Sequence, residues 1–147
     1  MMIAVGILSV FLVLAAHWLG IYLTRRLFEA ALERFGRRGV IGTEVAFALA
    51  IFGLVLLNFA DVLICTGLVL AGGTGIPAGA AFHYAIANFT TVGLADPSGG
   101  WIPAIAGPLI AMCGIVSFGW STSFLVSCSN AVGIHRERAR QPRGDAS

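Results

Sequence analysis

Apolar residues run almost unbroken through three stretches of the chain, roughly residues 2–23, 45–70 and 102–128. Each meets the requirement of about 20 residues for a helix that crosses a bilayer. Between the second and third stretches lies a shorter apolar run, residues 77–89. As a helix it would be about 20 Å long, enough to reach the middle of a membrane and stop. The pattern predicts an all-α membrane protein. Its first span covers about residues 2–24, followed by a cytoplasmic elbow at 25–40, a second span at about 42–70 and a short helix at 77–89. A loop at 90–96 and a third span at about 102–130 complete one membrane domain, residues 1–133, and a basic tail fills 134–147.

Composition agrees with this reading. The chain has 147 residues, 58% of them hydrophobic and 11% charged, too apolar for a water-soluble domain. The first stretch resembles a secretory signal in its apolar start and in Ala15 and Ala16. It lacks a basic leading region, however, and continues apolar to Leu23, so it reads as a retained span. All nine basic residues are arginines. Five (Arg25, Arg26, Arg34, Arg37 and Arg38) separate the first two spans, and four (Arg136, Arg138, Arg140 and Arg143) follow the third. The positive-inside rule puts both groups in the cytoplasm, leaving the amino terminus and the 71–101 segment outside. The same arginines suit contact with anionic lipid better than with nucleic acid.

Polar residues inside the spans carry the candidate chemistry. His17 is predicted about 10 Å from the inner end of the first span, either hydrogen-bonded between helices or sensing protons. Leu27, Ala31 and Phe35 recur at helical spacing opposite Arg26, Glu29, Glu33 and Arg34. The first helix therefore either runs on into the cytoplasm or bends along the interface. Asn58 and Asp61 share one face of the second span. Asp61 falls about 13 Å from the outer end, where an ionisable group marks a function or a buried polar network. It either braces the short helix from behind or meets a permeation path. The estimated depths of His17 and Asp61 differ by well over a helical turn, which predicts that they do not pair. Cys65, Cys113 and Cys128 have no metal-ligand spacing and read as small buried residues.

The loop after the short helix reads Thr90-Thr91-Val92-Gly93-Leu94-Ala95-Asp96. It resembles the selectivity-filter signature of pore-loop potassium channels, Thr-Thr-Val-Gly-Tyr-Gly-Asp. The resemblance implies that 77–89 is a re-entrant pore helix whose carboxyl end favours a cation. It also implies that Thr91, Val92, Gly93, Leu94 and Ala95 offer oxygens to a permeant ion, with K+ or Na+ at Thr91, Val92 and Gly93. Thr90, Asp96, Asp61 and Asn58 would support this filter. Leu94 and Ala95 depart from the signature. Leucine loses the tyrosine hydroxyl, and alanine replaces a glycine that uses positive φ, where a Cβ costs about 1–2 kcal/mol. Potassium selectivity is therefore expected to be weakened, and a collapsed filter is the alternative.

The third span contains Gly114, expected either as a hinge or as a point of close packing. Ser117, Ser121, Phe124 or Leu125, and Cys128 form a face expected to line an inner vestibule, narrowed by Phe124 or Leu125. Phe118-Gly119-Trp120-Ser121-Thr122 resembles a motif of short bacterial ion-channel-domain proteins. One pore loop cannot close a ring, so the channel reading requires a homotetramer, in a cell (inner) membrane. The chain offers no soluble regulatory domain, no cofactor site beyond the permeant cations, and no arrangement resembling an enzyme's nucleophile and base. The rival reading is a non-conducting membrane structural or interaction protein that keeps the channel fold. Residues from Arg136 onward are expected to be disordered.

Overall fold

The computed structural model describes residues 2–36, 39–73, 75–95 and 104–140. These form four helices: α1 (Met2–Phe35), α2 (Val40–Ala71), α3 (Ala78–Phe89) and α4 (Ala106–Arg140). No strand occurs among the described residues. Three helices are long and apolar enough to cross a membrane, over Ala4–Phe35, Val40–Ala71 and Ala106–Glu137. Each long helix buries one stripe and leaves the rest of its apolar surface outward. On α1 the stripe is Val10, Val13, His17, Thr24, Phe28 and Ala31, while Leu8 is 70% and Phe11 66% exposed. In water such surfaces would have to be covered; against lipid tails they cost nothing, and the helices keep their backbone groups satisfied internally.

Two compact units make up the fold. In the first, Val10 and Val13 of α1, Val62, Cys65 and Val69 of α2, and Ile110 and Cys113 of α4 enclose one face of α3. That face is Ala81, Tyr84, Ala85, Asn88 and Phe89, spaced to stack on one side of a helix. Pro77 precedes α3 in extended conformation at φ −60° and ψ 147°, as a proline that opens a helix should. The second unit packs Phe28 and Ala31 of α1, Ala46 and Ala50 of α2, and Cys128 and Val132 of α4. Here Arg136 donates from Nε to Thr43 Oγ1 at 3.0 Å and pairs through Nη2 with Glu44. Thr43 Oγ1 in turn donates to the Val40 carbonyl at 2.8 Å, one of the bonds of the first turn of α2.

The elbow residues up to Phe35 belong to the first helix, in keeping with the reading in which that helix runs on beyond its span. The carboxyl-terminal segment is ordered further than its charge suggested: α4 runs to Arg140, since Arg136 has Thr43 and Glu44 to hold it. Residues 141–147 lie outside the described residues.

Replacing Arg136 with alanine should lower thermal stability in detergent by the equivalent of about 1 kcal/mol, because the pair is partly exposed. Glu44→Ala should cost no more when added to it, and the loss should shrink in high salt. A differential unfolding scan of the single and double variants reads this.

Candidate functional site

The end of α3 determines the course of the loop that follows. The carbonyls of a helix's last turn need donors, and here the loop supplies them itself. Thr90 N–H donates to Ile86 O at 3.0 Å, Thr91 N–H to Asn88 O at 2.9 Å and Gly93 N–H to Ala87 O at 3.1 Å. The Thr90 hydroxyl adds a second bond to Ile86 O at 2.8 Å. This resembles a Schellman closure with one residue inserted. The position that a Schellman closure gives to glycine is filled by Thr91, at φ 62°. A β-branched residue in the left-handed region is an outlier that costs about 1–2 kcal/mol. Such strain persists where surrounding structure enforces it, and it concentrates at functional sites. Gly93 follows at φ 78°, whereas Val92, Leu94 and Ala95 do not have positive φ.

The loop is open to its surroundings. All residues from Thr90 to Ala95 are exposed, Val92 by 80%. Among the described residues no backbone N–H bonds to the carbonyls of Thr91, Val92 or Gly93. Three consecutive residues thus present main-chain oxygens that no backbone N–H among the described residues engages. Leu94 differs, because its carbonyl accepts a bond from Asn88 Nδ2 at 3.4 Å. Asn88 also donates to Tyr84 O at 2.9 Å and is nearly buried. It was missed in the sequence, where the only signal was an amide in the last turn of an otherwise apolar helix.

The loop is fixed by α4. A Cβ on Gly114 would stand 1.8 Å from the Phe89 carbonyl oxygen, so only glycine lets the two backbones approach this closely. Phe118, one turn further, meets the Phe89 ring edge-on with centroids 5.5 Å apart. Gly114 and Phe118 lie about 12–18 Å along α4 from its first residue, at 1.5 Å per residue. Gly114 is therefore a packing point, the second of its two sequence readings. The face expected to line a vestibule is turned inward: Ser117 is 0% and Ser121 6% exposed, and Cys128 is buried. Phe124 and Leu125 are half-buried. Among the described residues of this helix the exposed polar ones are Thr122, Ser123, Ser127, Ser129, Asn130 and Glu137. The small residues expected to line water instead fill the close helix contacts, which favour small side chains.

Asp61 also departs from expectation. Its Oδ2 lies 2.6 Å from His17 Nδ1, and both residues are 0% exposed. Among the described residues its carboxylate makes no hydrogen bond to α3, and Oδ1 has no partner. The predicted depths failed because they were measured from assumed membrane edges. Counted from the turn between α1 and α2, His17 is about 27 Å from the end of α1 and Asp61 about 31 Å from the start of α2, so they are level. Asn58 is half-buried one turn before Asp61. Asp96 lies outside the described residues.

Comparisons of the chain with protein families, with curated proteins and with solved structures find no match.

Gly114→Ala should destabilise the protein by about 1–3 kcal/mol, because the added methyl meets backbone. Gly119→Ala on the same helix has nothing within 4 Å of its new Cβ and should be neutral or stabilise by up to about 1 kcal/mol. Denaturation of both variants in one detergent measures the difference.

Proposed function

We propose that this chain is one subunit of a homotetrameric cation channel of the potassium-channel type, passing ions along the carbonyls of the 91–93 loop. The observation that carries the reading is that loop: strained at Thr91, exposed, and with three successive carbonyls that no backbone N–H among the described residues engages. Its anchor points fall well within the length of α4, a helix long enough to span a bilayer. Unpaired backbone at such a depth is stable only where it is buried in protein or lines water. Carbonyls that face a narrow water-filled axis can replace part of a cation's hydration shell. Four copies around an axis close a ring that one copy leaves open.

The ion sites follow in order. Thr91, Val92 and Gly93 hold the permeant K+ or Na+. Leu94 and Ala95 contribute less, because Asn88 already engages the Leu94 carbonyl and Ala95 lacks the positive φ of the family's glycine. Selectivity for potassium over sodium is accordingly weakened. The tetramer sits in a cell membrane with its amino terminus outside and its arginine-rich ends in the cytoplasm. Below the loop, Thr122, Val126 and Asn130, which are exposed and share one helix face, replace the buried Ser117 and Ser121 as the wet face of α4.

A second reading, a silent pore that serves as a structural or interaction protein, is favoured by one observation. The bond from Gly93 N–H to Ala87 O curls the loop back onto α3. Cation flux into liposomes separates the two. The channel reading expects potassium flux above the protein-free control, sodium flux within about tenfold of it, and a rise in the potassium-to-sodium ratio with Ala95→Gly. Flux at the control level in both proteins contradicts it.

A further inference from the structure

Among the described residues, the pair formed by His17 and Asp61 is the most secluded ionisable group, and it takes no part in the proposed ion path. Both residues are completely buried, and the contact is 2.6 Å. A buried ionic or hydrogen-bonded pair contributes little net stability compared with apolar side chains of the same volume, and its best-attested use is to fix register. What it fixes here can be read from its neighbours. With Nδ1 bound to Asp61, the imidazole plane of His17 is set, and Trp120 of α4 stacks on it with centroids 6.1 Å apart and planes 18° from parallel.

Trp120 and Phe118 are two residues apart on a helix, so they point about 200° away from each other. One meets His17 of α1 while the other meets Phe89, the last residue of α3, edge-on at 67°. The helix α4 is thereby wedged between the polar pair and the base of the loop, with Gly114 in contact with the Phe89 carbonyl. A rotation of α4 by about 20° would move a side chain at a radius of 5–6 Å by about 2 Å, enough to unseat the Phe118 ring from Phe89. Phe89 adjoins Thr90 and the strained Thr91, whose conformation requires a fixed support.

We infer that His17 and Asp61 are positioning residues for the 90–95 loop: they set the rotation of α4 through Trp120, and α4 holds the loop through Phe118 and Gly114. The effect on the loop itself is independent of the channel reading; its effect on ion selectivity rests on that reading.

The test uses the full chain in lipid nanodiscs with a spin label on Val92→Cys, an exposed site, the native cysteines being buried. Asp61→Leu, His17→Leu and Trp120→Leu should each mobilise the label. Asp61→Asn, which keeps a hydrogen-bonding group, and Trp120→Phe, which keeps a stacking ring, should restore the wild-type spectrum. Combining Asp61→Leu with Trp120→Leu should mobilise the label no further than either alone. Should a variant of the buried pair fail to fold, Trp120→Leu carries the test, because Trp120 is 42% exposed. An unchanged label spectrum in folded Trp120→Leu overturns the inference. Flux through the corresponding unlabelled variants, with Val92 retained, keeps the two proposals apart. In a conducting wild type, the leucine variants should lower the potassium-to-sodium ratio about fivefold or more. A wild type that passes no cation removes the channel reading while the label still decides the positioning role. An unchanged label in a conducting protein removes the positioning role alone.

Discussion

The contact between Gly114 and the Phe89 carbonyl determines where everything else in the first unit can be. A short helix that ends within a membrane-length bundle must have its final carbonyls met and its exit backbone supported. Here the loop meets three of those carbonyls by folding back, and α4 approaches the fourth so closely that a methyl group would not fit. The small residues of α4 serve this approach. Gly107 abuts Asn88 and Tyr84, Gly114 abuts Phe89, and the buried Ser117 and Ser121 continue the same stripe. Close packing of small residues is the principal means of holding helices together where the hydrophobic effect is absent.

Around that contact the strain at Thr91 becomes intelligible. Helix termination asks for a left-handed residue, and glycine would supply it without cost. Threonine in that place costs stability that the rest of the unit must offset. The return is a loop that leaves the helix in a defined direction, with its next carbonyls met by no backbone N–H among the described residues. Asn88 then holds the far side of the loop at Leu94, a position where the channel signature that the loop resembles carries a tyrosine.

Much of the architecture was legible from hydrophobic length. The three spans, the short helix from the proline at 77 and its end at Phe89 all follow from where apolar runs begin and stop. The loop was conspicuous because Thr-Thr-Val-Gly is a rare run between apolar helices. Rotation and relative depth were not legible. Ser117 and Ser121 look like residues for water, yet in lipid a small hydroxyl residue suits a helix contact equally well, and periodicity does not say which face turns inward. The pairing of His17 with Asp61 was excluded by counting from assumed membrane edges, when the turn joining α1 to α2 gave the better reference. Asn88 has no motif and became visible only through its distance to Leu94.

The central claim is that the carbonyls of Thr91, Val92 and Gly93 from several copies surround a cation. Diffraction from the assembled protein crystallised in rubidium salt, recorded at the rubidium absorption edge, tests it directly. The account predicts anomalous density on a fourfold axis, level with these three residues. A fourfold assembly without such density there, or an assembly in which the loop faces away from the axis, would contradict it.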